Sequence, residues 1–244
     1  MRAIILAAGL GLRLQQPPEA QFPKCLLRFD DVSLLERHLR VLDAAGVDEI
    51  VLGLGFQSEK VEQELKRLGR TAEIVINERY DLGSVLTVHT VADAMTRGGD
   101  VLLMDADVLY DENILHALVA DSDKAVDRLL IDRDFEAGDE PVKLCLKNGV
   151  PVELRKQLAV DLDYDTIGES VGFFRFTEGT ARASRKSSQA TSTAAARTCR
   201  TRKPCVTCCS KAAIRSTSPT SRVRRGSRST SRTTSHARHK TFFP

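Results

Sequence analysis

The chain has 244 residues, enough to bury the core of one α/β domain with or without a tail. Its formal net charge of +3 hides two unlike parts, because all 33 Asp and Glu lie at or before Glu178; residues 1–178 carry a charge of −13 and residues 179–244 a charge of +16. No apolar run reaches membrane-spanning length and no basic region precedes a long apolar segment, so we expect a cytoplasmic protein without a membrane partner.

The first half of the chain alternates strand-length apolar stretches with helical periodicity. A buried strand is predicted at residues 2–7, followed by a Gly-, Gln- and Pro-rich loop. Ser33 and Glu36 form a capping box for a helix that ends at Gly46. Next come strand 49–54, helix 58–68, strand 73–76, helix 83–95, strand 100–104 and a helix capped by Asp111 that runs to about residue 119. This alternation predicts a Rossmann-like α/β fold, with a mostly parallel sheet and helices on both faces.

The pattern changes at residue 126. Strands joined by turns are predicted at residues 126–131, 142–146, 150–154 and 169–176. They indicate a β-rich region on the substrate side of the fold. We therefore expect one folded domain over residues 1–178, followed by a low-complexity basic tail over residues 179–244.

The first strand runs directly into a glycine-containing loop. Glycines allow backbone N–H groups to approach an anion closely, and the nearby cations neutralise phosphate oxygens. The dinucleotide fingerprint is excluded because Leu14 replaces its third small residue, and the Gly-Lys-Ser/Thr of a P-loop is missing. The candidate phosphate contacts are Leu6, Ala7, Ala8, Gly9, Gly11, Arg13 and Lys24.

Two carboxylates, Asp105 and Asp107, end the strand predicted at residues 100–104. Carboxyl ends of parallel strands share one edge of a sheet, so this pair is expected to converge with the glycine loop. From this pair we expect one metal ligand and not two. His38, His89 and His116 lie on predicted helices and are interpreted as surface or packing residues.

The combination of residues 6–13 with Pro23-Lys24 resembles the nucleotidyltransferases of the GT-A-like α/β fold. The resemblance covers residues 1–182 and is greatest to the small cytidylyltransferases acting on phosphocholine, 2-aminoethylphosphonate or inositol phosphate. The stretches that carry it are Pro23-Lys24-Cys25-Leu26-Leu27, Leu34-Leu35-Glu36-Arg37, Ala45-Gly46-Val47-Asp48-Glu49-Ile50 and Leu103-Met104-Asp105-Ala106-Asp107-Val108.

The resemblance implies transfer of CMP from CTP to a small phosphorylated or phosphonylated alcohol or amine, with release of pyrophosphate. It assigns the triphosphate to the glycine loop and Arg13, and the bridge to the acceptor to Lys24. Gly83 and Ser84 would face the base, and Asp105 would contact the nucleotide. Asp107 would bind Mg²⁺, Lys156 would approach the acceptor phosphate, and a homodimer is allowed. The catalytic residues implied are Arg13, Lys24 and Lys156.

Three other functions stay open from the sequence. A sugar-1-phosphate nucleotidyltransferase using UTP or another NTP would need the same loop. A nucleic-acid-binding protein acting through its basic tail belongs to a different class, and we consider it the less favoured one. A nucleotide-binding module without catalysis is the third.

The tail is unlike the rest of the chain, with no Asp, Glu, Leu, Met or Tyr after residue 178 and 24 Ser or Thr. Such a composition is typical of disorder. A shifted reading frame explains more, because the codons permitted for residues 201–209 and 225–236, read one base out of register, can encode ordinary helical and acidic sequence. On this hypothesis the chain lacks the family's closing strand and its second metal carboxylate, and we expect weak or no activity and poor stability.

Overall fold

The computed structural model describes residues 1–10, 21–47, 49–120, 126–183, 214–215 and 223–225. Gly11 and Arg13 of the predicted phosphate loop lie outside these residues. The described α-helices are α1 (Leu34–Ala44), α2 (Ser58–Arg67), α3 (Ser84–Thr90), α4 (Ala92–Met95) and α5 (Glu112–Val119). The strands are β1 (Arg2–Ala7), β2 (Arg28–Phe29), β3 (Val32–Ser33), β4 (Glu49–Leu54), β5 (Glu73–Ile76), β6 (Val101–Asp105), β7 (Val108–Tyr110), β8 (Asp127–Asp132), β9 (Lys143–Lys147), β10 (Val150–Arg155), β11 (Thr166–Phe176), β12 (Ile214–Arg215) and β13 (Val223–Arg225).

One mixed sheet organises the described chain, in the order β10-β9-β11-β6-β1-β4-β5, with β8 also paired to β11. Its half around β1 is parallel, because β1 pairs in parallel with both β4 and β6. Its other half is antiparallel and contains the strands predicted as β-rich. Those strands extend the same sheet instead of forming a separate one. The mostly parallel half with its helices confirms the prediction of a Rossmann-like α/β fold.

Helices cover both faces of the parallel half, as the alternation of side chains along the strands shows. Ile5 and Leu52 pack in the larger core with α1, α2 and α5. Ile4 and Val51 point to the opposite face and pack with Ala94 of α4 and its neighbours. The strands around β1 are therefore buried on both faces, which explains why the sequence shows them as continuous apolar runs.

Two boundaries differ from the sequence prediction. The helix predicted at residues 83–95 is divided at Val91, whose ψ of 4° interrupts it between α3 and α4. The folded part also extends beyond Glu178, because residues 178–183 are helical and Ala181 is buried. Asp127 accepts hydrogen bonds from the Thr177 backbone (2.7 Å) and the Thr180 hydroxyl (2.6 Å), which fixes the start of this helix.

Two short stretches of the basic tail pair with strands of the folded domain, one in the large sheet and one in a separate two-stranded sheet. β12 lies parallel to β8, and β13 lies antiparallel to β7, with Arg225 opposite Val108. Apart from these five residues, the tail beyond residue 183 lies outside the described part of the chain, and the disordered or frameshifted tail stays a prediction. No helix among the described residues is long and apolar enough to cross a membrane.

Candidate active site

The end of β1 lies between two strands that bear the other predicted site residues. Leu6 is in register with Gly53 of β4 on one side and with Asp105 of β6 on the other. The Leu6 carbonyl accepts a hydrogen bond from the Ala106 backbone (3.2 Å), and the Ala8 carbonyl accepts one from Phe56 (3.2 Å). The end of β1 and the Asp105–Asp107 turn are thereby fixed to each other at the carboxyl edge of the sheet.

Gly9 lies on the exposed side of this edge. It has no positive φ, and no described atom lies within 4 Å of the position that a Cβ would take. Neither the backbone conformation nor packing by described residues therefore requires a glycine there. Close approach of a ligand to the backbone remains a physical reason for it.

Lys24 and Asp107 come together at this edge, although 83 positions separate them in the sequence. Lys24 Nζ donates to Asp107 Oδ2 at 3.2 Å, and the two side chains are 17% and 44% exposed. Lys24 begins a short 3₁₀ turn, Lys24–Leu26, that Cys25 anchors in the core. Burial raises the pKa of the Cys25 thiol to about 12, so that side chain is inert packing.

The strand is broken at the Asp105–Asp107 turn, so the two carboxylates do not share one face as residues two apart on an extended strand would. β6 ends at Asp105, and the next residues form a turn before β7. Asp105 packs against Gly172 of β11, where φ is +85° and a Cβ would lie 2.7 Å from the Asp105 carboxyl carbon. Asp105 and Asp107 thus have different surroundings, the first against β11 and the second beside Lys24.

Gly83 and Ser84 are exposed at the start of α3. Gly83 has φ +118° and ψ 161°, a conformation open only to glycine. A buried residue that sequence reasoning missed, Asn77, holds this helix: its side chain donates to Thr87 Oγ1 (3.0 Å) and its backbone N–H to the Leu54 carbonyl (2.8 Å).

Lys156 has contacts other than those of the Lys24–Asp107 pair. It follows β10, its Nζ donates to Glu140 Oε2 (3.2 Å), and Lys143 Nζ donates to its carbonyl (2.6 Å). The structure therefore joins Lys24, Asp107 and the end of β1, while Lys156 belongs to the antiparallel half of the sheet.

His38, predicted as a surface or packing residue, is a packing residue whose hydrogen-bond partners were not predicted. It is fully buried, and its two ring nitrogens lie 3.2 Å from the Tyr110 hydroxyl and 3.2 Å from the Ala106 carbonyl. A lone histidine on a helix gives no signal for this, because both partners are about seventy residues away. Phe173 is likewise core: its ring packs edge-on against Tyr110, with ring centroids 4.8 Å apart.

Among the described residues, no group of three or more His, Cys, Asp or Glu side chains is placed to hold a metal ion by itself. Asp107 supplies a partly exposed carboxylate at the edge of the sheet where β1 ends. Mg²⁺ commonly keeps several waters and binds through one or two carboxylates together with substrate phosphates. The residues present fit that mode of binding and do not fit an all-protein cage.

Solved structures with the same fold include the inositol-1-phosphate CTP transferase from T. maritima. Its TM-score is 0.60 at 22% identity, and the match covers 76% of this chain and 74% of that chain. The structure of a UDP-glucose pyrophosphorylase complexed with UDP-glucose has a TM-score of 0.59 at 15% identity, covering 75% and 78% of the two chains. At these identities the likeness establishes the fold.

Two relatives in sequence are cytidylyltransferases. The CTP:phosphoglutamine cytidylyltransferase of Campylobacter jejuni is 26% identical over 190 residues, which are 72% of this chain and 73% of that protein. The choline-phosphate cytidylyltransferase of Haemophilus influenzae is 35% identical over 115 residues, 47% of each chain, so the match spans about half of its length. The fold and these relatives define the class: the chain is a nucleotidyltransferase.

Residues 3–167 match the model of the MobA-like NTP transferase domain. Because the match spans well over half of the chain, the chain belongs to this family.

Proposed function

We propose that the chain transfers CMP from CTP to a small phosphorylated or phosphonylated alcohol or amine and releases pyrophosphate. The observation that carries the proposal is the Lys24–Asp107 pair (3.2 Å) on a turn that is hydrogen-bonded to the end of β1. A cation and a carboxylate at the edge of the sheet where Gly9 is exposed suit a metal-bound triphosphate. Both relatives described above are named as cytidylyltransferases, one with CTP and phosphoglutamine in its name and the other with choline phosphate. Their names favour CTP as the nucleotide here.

The proposed reaction needs charge neutralisation more than proton transfer. An anionic phosphate or phosphonate oxygen of the acceptor attacks the α-phosphorus of CTP, the bond from that phosphorus to the bridging oxygen breaks, and pyrophosphate leaves. No general base is required, because the nucleophile is already ionised. Positioning and electrostatic stabilisation therefore supply the rate enhancement, as in other phosphoryl-group chemistry.

Each candidate residue has a part in this proposal. Backbone N–H groups of residues 6–11 and the Arg13 guanidinium hold the triphosphate, while Gly83 and Ser84 lie beside the base. Lys24 exchanges its bond to Asp107 for an oxygen of the α-phosphate. Asp107 holds Mg²⁺, which neutralises phosphate charge when bound, and Lys156 exchanges Glu140 for the acceptor phosphate.

We further propose that activity is impaired in this chain. β13 takes the edge of β7 next to Asp107, and no residue after Glu178 is acidic. A closing strand that carried a carboxylate would put a second anionic ligand near that position. A shifted reading frame from about residue 183 accounts for the tail, and the nucleotide sequence around codons 180–185 tests it directly.

The test is pyrophosphate release by this chain and by a frame-restored chain, with CTP, UTP and GTP each paired with phosphocholine, 2-aminoethylphosphonate, inositol phosphate and a hexose 1-phosphate. We expect CTP-dependent release, about 10²-fold slower in this chain, because one carboxylate of the metal site is lost. Equal turnover in both chains would contradict the impairment. Release only with UTP or GTP and a sugar phosphate would identify the alternative nucleotidyltransferase.

The basic tail is the observation behind a second candidate function, binding of nucleic acid. Its charge of +16 without any acid is sufficient for electrostatic attachment to phosphates. RNA binding that weakens steeply with salt, together with no turnover of any triphosphate, would favour this function. Tight CTP binding without product would indicate a non-catalytic nucleotide-binding module.

A further inference from the structure

The His38 ring lies on the core side of the turn that carries Asp107 and contacts its backbone at Ala106. It belongs to α1, which packs against the same core as β6 and β7. Its Nε2 is 3.2 Å from the Ala106 carbonyl oxygen and its Nδ1 is 3.2 Å from the Tyr110 hydroxyl. The ring stacks on Tyr110, with centroids 5.3 Å apart, and meets Phe173 edge-on.

The partners determine which nitrogen of His38 carries the proton. A carbonyl oxygen can only accept, so Nε2 donates to Ala106 and Nδ1 accepts from the Tyr110 hydroxyl. Burial lowers the pKa of His38 to about 4, which keeps the imidazole neutral, as this arrangement requires. Burial also raises the pKa of Tyr110, so the phenol keeps the proton that it donates.

Ala106 is consequently held at both of its backbone polar groups. Its N–H donates to the Leu6 carbonyl (3.2 Å) and its carbonyl accepts from His38 (3.2 Å). These two groups belong to the two peptide planes on either side of Ala106. The second plane leads into Asp107, so the His38 bond fixes the backbone from which that carboxylate projects.

We propose that His38 is a positioning residue for Asp107: its Nε2–H bond to the Ala106 carbonyl holds the turn so that the Asp107 carboxylate meets the metal-bound triphosphate. The inference rests on the proposed function, in which Asp107 holds the metal. Partners that orient a metal ligand affect metal affinity by about 10–100-fold when removed. A histidine that only filled space would affect folding stability and leave metal affinity unchanged.

The variants separate these two roles. His38→Leu fills much of the volume but removes both hydrogen bonds, and His38→Gln retains a side-chain N–H that reaches toward the Nε2 position. His116, exposed on α5, supplies the matched control His116→Gln. Asp107→Asn serves as the reference for loss of the ligand itself.

The measurement uses the full chain, with Mn²⁺ as the probe for the divalent metal. The affinity for the Mn²⁺–CTP complex is followed by electron paramagnetic resonance, and the affinity for CTP in EDTA by calorimetry. We expect His38→Leu to weaken Mn²⁺–CTP binding 10–100-fold and metal-free CTP binding by less than about 3-fold. His38→Gln is expected to recover most of the loss, and His116→Gln to match the wild type.

Three results would overturn the inference, and they are distinguishable. Wild-type Mn²⁺–CTP affinity in His38→Leu, alongside a clear loss in Asp107→Asn, would reduce His38 to packing. No loss in Asp107→Asn would overturn the proposed role of Asp107, and the positioning role with it. Two-bond ¹H–¹⁵N NMR of the wild type needs no variant to fold: the inference predicts the neutral Nε2–H tautomer for His38, and an Nδ1–H tautomer contradicts it.

Discussion

Gly172 is a residue whose importance comes from a close approach. Its φ of +85° is strained for any other residue, and its Cα faces the Asp105 carboxylate. Gly172→Ala is therefore expected to displace Asp105 and β11 together, and to lower the free energy of unfolding by about 2 kcal/mol. Urea denaturation measures this loss, and Gly149→Ala, at an exposed turn with φ +75° and no neighbour within 4 Å, separates the cost of φ from the cost of the collision. Equal losses in the two variants would contradict the role of the Asp105 contact.

At the residue scale, the sequence predicts site residues that directly follow the ends of strands. It does not predict residues whose role depends on a contact with a distant part of the chain. Asp107 and the end of β1 were predictable, because carboxyl ends of neighbouring parallel strands meet at one edge. Lys24 was predicted as a phosphate contact because it is a cation that follows the glycine loop, but its pairing with Asp107 was not predicted. His38, Asn77 and Gly172 were not found, because the role of each depends on a partner distant in the sequence: Ala106, Thr87 and Asp105 respectively.

Two helices and the hairpin next to Lys24 are joined by an ion-pair network centred on Glu64 of α2. Glu64 accepts from Ser33 Oγ (2.8 Å) and pairs with Arg67 (2.7 Å) and Arg28 (3.2 Å). Arg67 also reaches Glu36 of α1 (2.9 Å). The network ties the β2–β3 hairpin, which follows the Lys24 turn, to both helices.

Glu64→Gln is predicted to lower stability in a pH-dependent way. Hydrogen bonding from Arg67, with a further bond from Ser33, lowers the pKa of Glu64 to about 2. Because the pKa of Glu64 is lower in the folded state than in the unfolded state, where it is near 4.3, the ionised carboxylate stabilises the fold at pH values above 4.3. This stabilisation is lost as the pH falls toward 2. We expect Glu64→Gln to cost about 2 kcal/mol at pH 7 and almost nothing near pH 2.

The control for this prediction is Glu62→Gln on the same helix, which removes a carboxylate outside the Glu64 network. Urea midpoints from pH 2 to pH 7 provide the comparison. A deficit for Glu64→Gln that stays constant across this range would show that charge at Glu64 is not what stabilises the network.

At the scale of elements, capping chemistry predicted boundaries better than periodicity did. Ser33 caps α1 by accepting from the Glu36 backbone (3.1 Å), and Asp111 caps α5 by accepting from the Asn113 backbone (2.9 Å), as predicted. The reciprocal hydrogen bond of a capping box would run from the Ser33 backbone N–H to the Glu36 carboxylate. That carboxylate pairs with Arg40 and Arg67 instead. The break at Val91 has no sequence marker, since Val91 is apolar and fully buried between α3 and α4.

For the whole molecule, the sequence predicts the class of fold but not how its halves join. The parallel half follows from alternating strands and helices. The antiparallel half was recognised as β-rich, but its continuity with β6 through β11 depends on long-range pairing such as Phe173 opposite Met104. Turn residues such as Lys147-Asn148-Gly149 specify the β9–β10 hairpin locally and carry no information about that pairing.

The central claim is that the carboxyl edge of the sheet, with Lys24 and Asp107, performs nucleotidyl transfer. The most direct test is CTP-dependent pyrophosphate release by the full chain in the presence of the acceptor that gives the highest rate, comparing the wild type with Lys24→Ala and with Lys60→Ala, an exposed lysine on α2. We predict that Lys24→Ala lowers kcat/KM by about 10²–10³-fold, because charge on the reacting phosphates is no longer neutralised, and that Lys60→Ala has no effect. Equal rates in the wild type and Lys24→Ala would contradict the claim.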